Sequence, residues 1–224
     1  MSKNLIITID GPAGSGKSTT AKLVAQKLGY LYIDTGAMYR AMALKTLQRG
    51  IDPQDKNAVA ELANRTKIEL KRQDSTLRIY LDGTDVTAKL RLPEVTKAVT
   101  PVCQVNRVRQ MLVEQQRRIG LNGGVVMEGR DIGTVVFPQA GLKIFLNASL
   151  EERTRRRHSE LKAQGVEIPP EQLKKEIAQR DREDTNRDKA PLRKAEGAIL
   201  IDTTGLAIEQ QVDKIVSLAK SLSV

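Results

Sequence analysis

The chain has no tryptophan, and only two phenylalanines and four tyrosines among 224 residues. Single-stranded nucleic acid is held largely by stacking bases on aromatic rings, so this composition argues against such a platform. One cysteine, Cys103, permits no internal disulfide and suits a reducing compartment. Its expected place is a small buried or half-buried position rather than a catalytic thiol. His158 is the only histidine, so no His/Cys cluster exists for zinc, and it is expected at the surface. No apolar run approaches the ~20 residues of a membrane-spanning helix. Residues 1–4 run straight into an apolar segment, leaving no room for a signal peptide. The expectation is a cytoplasmic protein with no membrane partner.

Lysine and arginine number 37 against 27 aspartates and glutamates, a net charge of +10. Such a surplus implies a polyanionic partner. The basic residues form no continuous tract. They recur as Arg40, Arg107 and Arg109, Arg130, the Arg153–Arg157 cluster, and Arg180, Arg182 and Arg187. Scattered arginines that converge in space suit several phosphates on small molecules better than a nucleic-acid stripe. Hydrophobic residues make up 40%, ordinary for a globular chain of one generous domain or a core with an insert.

Near-continuous apolar runs at 5–10, 30–34, 125–128, 142–146 and 198–202 read as strands covered on both faces. Helical patterns at 19–28, 37–49, 105–119 and 208–222 separate most of them. In the last, Ile208, Val212, Ile215, Val216 and Leu222 share one face. Alternation of this kind predicts an α/β fold with a parallel sheet and ligands at the carboxyl ends of the strands. Residues 65–90 break the alternation. There Lys67–Lys71, the Asp74-Ser75 turn, Leu77–Leu81 and Asp82-Gly83 read as a small antiparallel insert with period-two alternation. Residues 164–170 read as a loop interrupting a charged helical region.

Gly11-Pro12-Ala13-Gly14-Ser15-Gly16-Lys17-Ser18 fits the spacing G-x-x-x-x-G-K-S/T, with a strand before it and a helix after it. The glycines let successive N–H groups point inward at a polyphosphate, and the helix N-terminus adds partial positive charge. Lys17 can reach the terminal phosphates, and the Ser18 hydroxyl can act as a ligand for Mg²⁺. The chain is therefore expected to bind a nucleoside triphosphate.

Four further stretches carry chemistry. In 34–40, Asp34 or Thr35 is expected to cap a helix whose first turns bear Arg40, either an exposed arginine or, beside a glycine loop, one able to bind a phosphate bidentately. In 125–134, a strand ends in Glu128-Gly129-Arg130-Asp131, with Glu128 where many NTPases place a metal-holding acid. Arg180, Asp184 and Arg187 are spaced to share one helical face, although a solvated face laced with ion pairs explains that spacing equally well. Residues 151–157 form a dense cationic run, self-repelling unless it meets an anion, and read as the stem of a lid.

Taken together, these stretches resemble the bacterial-type cytidylate kinases, members of the nucleoside monophosphate kinase family. The resemblance rests on the glycine loop, Asp34-Thr35-Gly36-Ala37-Met38-Tyr39-Arg40, Gly129-Arg130-Asp131-Ile132-Gly133-Thr134, Arg180-Asp181-x-x-Asp184-x-x-Arg187 and Ala190-Pro191-Leu192, in order along the chain. It implies a P-loop NTPase core with a five-stranded parallel sheet flanked by helices, a small antiparallel acceptor-side insert and a helical lid. Residues 1–36, 98–150 and 190–224 would be the core, 37–97 the monophosphate-binding region and 151–180 the lid.

The implied activity is ATP-dependent phosphorylation of CMP and dCMP. Gly11, Pro12, Ala13, Gly14, Ser15, Gly16, Lys17, Ser18 and Thr19 would hold the phosphates of ATP, with Mg²⁺ at Ser18. Arg40, Arg130 and Arg180 would take the acceptor phosphate beside Thr35. Thr100, Arg109, Asp131 and Arg187 would read cytosine, and Asp184 the ribose. Lys17, Arg130, Arg180 and Arg157 would stabilise the transferring phosphoryl group, with Arg153 and Arg156 also in the lid. A monomer acting on free nucleotides, without nucleic acid, is expected. The alternatives are a kinase for UMP or dTMP and an NTP-dependent nucleic-acid-binding protein.

Overall fold

The computed structural model describes residues 5–73, 76–163 and 165–222, so residues 1–4, Asp74, Ser75, Gln164, Ser223 and Val224 lie outside the described residues. In chain order, β1 (Ile6–Asp10) passes through the glycine loop into α1 (Lys17–Leu28). β2 (Leu31–Asp34), α2 (Thr35–Gln48) and α3 (Lys56–Asn64) follow, then β3 (Ile68–Gln73), β4 (Thr76–Leu81) and β5 (Thr84–Asp85). Next come α4 (Pro93–Gln104), α5 (Asn106–Gly120), β6 (Val125–Gly129) and a π-helical turn at Ile132–Val136. β7 (Leu142–Asn147), α6 (Leu150–Ala163), α7 (Pro170–Asn186), β8 (Ile199–Asp202) and α8 (Ile208–Ser221) complete the chain.

The apolar runs form a five-stranded parallel sheet in the order β2-β6-β1-β7-β8. β1 lies centrally, with Ile7 level with Val126 on one side and Leu142 on the other. Burial on both faces explains why these strands read as continuous rather than alternating. The insert is a separate sheet, β3-β4-β5, in which Ile68 pairs with Leu81 and Leu70 with Ile79. There the period of two holds, since one face alone supplies buried side chains.

The chain divides into two compact units. One comprises the residues up to Tyr32 and from Asn122 onward; the other is Ile33–Leu121. The first packs α1 and α8 on the sheet through Ile7, Ile9, Val24, Ile144, Leu146, Val212 and Ile215. The second has its own core, in which Met38 and Met42 of α2 meet Val95 and Val102 of α4 and Val108 and Leu112 of α5. Residues 98–121, expected in the core sub-region, thus fall in the second unit because α4 and α5 bury their apolar faces there.

Two helices lack clear sequence signals. α3 is short, and is started by the Asp55 carboxylate accepting from the N–H groups of Asn57 and Ala58. α4 contains Pro101, which removes one helical donor and obscures the pattern. Leu222, placed on the apolar face of the last helix, lies beyond its final residue and is 51% exposed. Ala219 is buried in its stead.

Leu112 is fully buried in the second core. Leu112→Ala should lower the unfolding free energy by about 2–5 kcal/mol, from lost transfer energy plus the cavity left behind. Urea denaturation followed by circular dichroism checks this, and a loss below about 1 kcal/mol would contradict the packing described.

Candidate active site

In the first unit, the glycine loop joins the carboxyl end of β1 to α1. Gly14 and Gly16 take left-handed φ values of 75° and 90°, and a Cβ on Gly11 would collide with the Leu146 carbonyl. These positions therefore require glycine. No side chain caps α1, which leaves its first N–H groups for an anion. Lys17 is buried, and its Nζ donates to the Pro12 carbonyl at 2.6 Å. Burial and the nearby Arg130 charge lower its pKa to about 7.

Several braces hold the loop that no sequence pattern indicated. Thr203, just after β8, donates its hydroxyl hydrogen to the carbonyls of Ser15 (3.1 Å) and Asn147 (3.0 Å). Arg156 donates to the Thr203 hydroxyl and to its carbonyl, the latter at 2.6 Å. The Thr20 hydroxyl donates to Gln211 Oε1 at 2.9 Å. Arg153, 7% exposed, donates to Ala13 and Ala148 carbonyls and pairs with Asp181 of α7 at 2.6 Å.

The cationic run at 153–157 meets carboxylates: Arg153 pairs with Asp181 of α7, Arg155 and Arg156 share Glu152, and Arg157 pairs with Glu160. The partners three or four residues away on the same helix offset part of its charge. His158, expected at the surface, is half-buried. It lines a recess of about 470 Å³ with Lys162, Glu167, Ile168, Pro169 and Pro170.

Behind the loop, Ser18 donates to Glu128 Oε2 at 3.0 Å, and the Tyr32 hydroxyl donates to Glu128 Oε1 at 2.5 Å. Tyr32 also escaped the sequence reading. Among the described residues no three His, Cys, Asp or Glu side chains converge as a metal cage. A hydroxyl and one carboxylate are nonetheless the hard oxygen donors that suit Mg²⁺, which keeps waters and substrate phosphates as its other ligands.

Beyond β6 lies a cluster of alternating charge. Arg130 Nε pairs with Asp184 Oδ2 at 2.8 Å, and Arg187 Nη2 lies 3.4 Å from Asp131 Oδ1. Burial opposes the Asp184 charge, but Arg130, Arg180 and Arg187 outweigh it and hold its pKa below the usual value. Arg180 is half-buried on α7. Arg187 does not continue the helical face. It follows the last residue of α7 with extended backbone (ψ 138°), and its Nε donates to the Ala190 carbonyl at 2.6 Å. The turn after β6 is anchored by Asp10, whose carboxylate accepts from the N–H groups of Ile132 (2.9 Å) and Gly133 (2.7 Å). Burial raises the Asp10 pKa to about 6, with those two N–H groups opposing the rise.

The second unit carries the remaining candidates. Asp34 caps α2 by accepting from Ala37 N–H at 2.9 Å, and its other oxygen pairs with Arg40 at 2.8 Å. Thr35 is the buried first residue of α2. Thr100 is half-buried on α4. Arg109 is buried on α5, with its guanidinium 5.8 Å from the centre of the Tyr39 ring, a cation–π contact.

The first unit thus brings together the glycine loop, Glu128, Arg130, Asp131, Asp184 and Arg187. A family model described as Cytidylate kinase matches residues 7–221. A Caldicellulosiruptor bescii protein described as cytidylate kinase is 50% identical over 216 residues, 96% of each chain. A Geobacillus protein with the same description is 52% identical over 218 residues, 97% of each chain. Among solved structures, an uncharacterized protein from Eubacterium ventriosum shares the fold, with a TM-score of 0.56 and 13% identity over 98% of this chain and 99% of that one.

Burial and the Arg130 charge hold the Lys17 pKa down at about 7, and the negative charge of a bound polyphosphate favours the protonated form. Triphosphate binding at pH 8 should therefore take up close to one proton. Calorimetry in buffers of different ionisation enthalpy measures it, and Lys17→Met should abolish the uptake. Zero uptake in the unsubstituted protein would contradict the depressed pKa. The sign for folding follows: the unfolded chain binds the extra proton between about pH 7 and 10.5, so this group makes stability rise with pH there.

Proposed function

The chain belongs to the cytidylate kinase family, and on that footing we propose that it transfers the γ-phosphoryl group of ATP to CMP and dCMP, giving ADP with CDP or dCDP. Membership makes it a phosphotransferase. The observation that most supports this acceptor is the cluster of buried Asp131 and Asp184 with half-buried Arg130 and Arg187, held in the same unit as the glycine loop.

The acceptor phosphate of a nucleoside monophosphate is largely dianionic near neutral pH. No general base is needed to make a nucleophile; the obstacle is aligning two polyanions. The loop N–H groups and Lys17 neutralise the donor phosphates. Arg40, Arg130 and Arg180 are assigned to the acceptor phosphate. Here Arg40 and Arg130 are already charge-paired to Asp34 and Asp184, so an incoming phosphate exchanges one anionic partner for another. Ser18, with Glu128 hydrogen-bonded to it, would hold Mg²⁺, which would supply positive charge to the donor phosphates. Arg157 is assigned to the transferring group. In this structure it pairs with Glu160, and that role requires the pair to open.

Thr100, Arg109, Asp131 and Arg187 are assigned to the base. Cytosine presents an N4 amine donor, where uracil presents an acceptor. A carboxylate such as Asp131 accepts from the first and repels the second, and a site built on such hydrogen bonds rejects the mismatched analogue strongly. Asp184 is assigned to the ribose. In this reading residues 37–97 are the monophosphate-binding region, 151–180 are the lid, and the protein works as a cytoplasmic monomer on free nucleotides without nucleic acid. No described helix is long and apolar enough to cross a membrane.

A panel of monophosphates assayed for ADP release with Mg·ATP should show CMP and dCMP preferred over UMP and AMP by about 100-fold or more in kcat/KM. Equal rates on CMP and AMP would sink the acceptor assignment. Arg187→Ala should raise the KM for CMP by about tenfold or more while leaving that for ATP nearly unchanged. Unaltered CMP affinity, measured by calorimetry, would remove Arg187 from the base-reading group.

A further inference from the structure

Asp10 is the last residue of β1 and directly precedes the glycine loop, and its carboxylate is taken up by backbone on another segment. It is 3% exposed, and its two oxygens are separately engaged by consecutive backbone donors 122 and 123 residues away: Ile132 N–H on Oδ1 and Gly133 N–H on Oδ2. These are the opening N–H groups of the π-helical turn Ile132–Val136, for which the preceding residue Asp131 supplies no side-chain cap. A helical turn leaves its first donors unpartnered, and buried donors left so are costly. Asp10 is the cap, delivered from another strand.

Packing fixes the turn from the same side. A Cβ on Gly133 would lie 3.0 Å from Thr8 Oγ1 and 3.3 Å from Asp10 Oδ2, so the backbone is pressed onto β1 there. The residues immediately before the turn are Arg130 and Asp131, whose side chains reach Asp184 and Arg187. Their backbone leaves β6 and must arrive at the point where Asp10 holds it.

We propose that Asp10 is a positioning residue for the acceptor: by capping the turn after β6 with both carboxylate oxygens, it sets the placement of Arg130 and Asp131 toward the monophosphate. This rests on the acceptor assignment made above. A carboxylate is required because two adjacent donors need two acceptors. Asparagine offers one oxygen and turns an amino group against the second N–H. Because Asp10 also ends the strand that launches the glycine loop, the donor loop and the acceptor-reading turn share one anchor residue.

The test is Asp10→Asn in the full-length protein, with Gly133→Ala as a second variant that pushes the same turn off β1 by filling the space against Thr8 and Asp10. Both should raise the dissociation constant and KM for CMP by about tenfold or more. The KM for ATP should change by less than about threefold. Amide exchange at Ile132 and Gly133 should accelerate in Asp10→Asn. Folded variants that bind CMP as tightly as the unsubstituted protein overturn the proposal, as does equal weakening of ATP and CMP. If one variant fails to fold, the other carries the same two readouts. An unsubstituted protein that does not bind CMP overturns the acceptor assignment, and with it the positioning role. Altered CMP binding with exchange at Ile132 and Gly133 unchanged overturns the clamp alone.

Discussion

Lys17 carries a buried amino group in a chain with an excess of positive charge, and the first unit is arranged around holding that group and any proton on it. Taking an ammonium out of water is costly unless anions or carbonyls receive it. The Pro12 carbonyl accepts directly from Lys17, while Glu128, Asp10 and Asp184 supply negative potential at longer range. Those carboxylates need partners in turn. Asp184 has Arg130, Glu128 has Ser18 and Tyr32, and Asp10 has two backbone N–H groups. Each partner belongs to a different segment, so satisfying one buried charge draws the loop, β6, the turn after it and α7 into one network.

Buried ion pairs of this kind contribute little net stability, because desolvation offsets most of the attraction. Their value here is geometric. An arginine already paired within hydrogen-bond distance of a carboxylate is held in one rotamer and presents its remaining donors in a fixed direction. The same holds for Arg153, tied at once to two carbonyls and Asp181. Its guanidinium braces the glycine loop from the α6 side by donating to the Ala13 carbonyl. Arg156 does the same through Thr203.

The second unit solves a smaller version of the problem. Asp34 divides its two oxygens between a backbone N–H and Arg40, so one carboxylate both starts α2 and aims the arginine. A Cβ on Gly36 would lie 3.1 Å from both the Arg40 guanidinium and Asp34, which keeps that position small.

Local patterns were sufficient for the five core strands, the glycine loop, the antiparallel insert and most helices, since each reflects periodicity or backbone freedom within about a dozen residues. The charged residues at 128–131 and 180–187 were also legible as types. Their partners were not. The Ser18–Glu128, Tyr32–Glu128, Thr20–Gln211 and Thr203–Ser15 hydrogen bonds span separations of 96 to 191 residues, and nothing in a local pattern encodes them. Asp10 had one available signal, its place just before the glycine loop, but it read as the end of a strand. The cationic run at 153–157 looked unbalanced because one of its counter-charges, Asp181, comes from another helix. The amino-acid sequence by itself determined the core strands, most helices, the glycine loop and the family, because these depend on residue type at short spacing. Only the tertiary structure decided which charges are already paired and which backbone each carboxylate holds, because burial and the meeting of distant segments set the electrostatic environment.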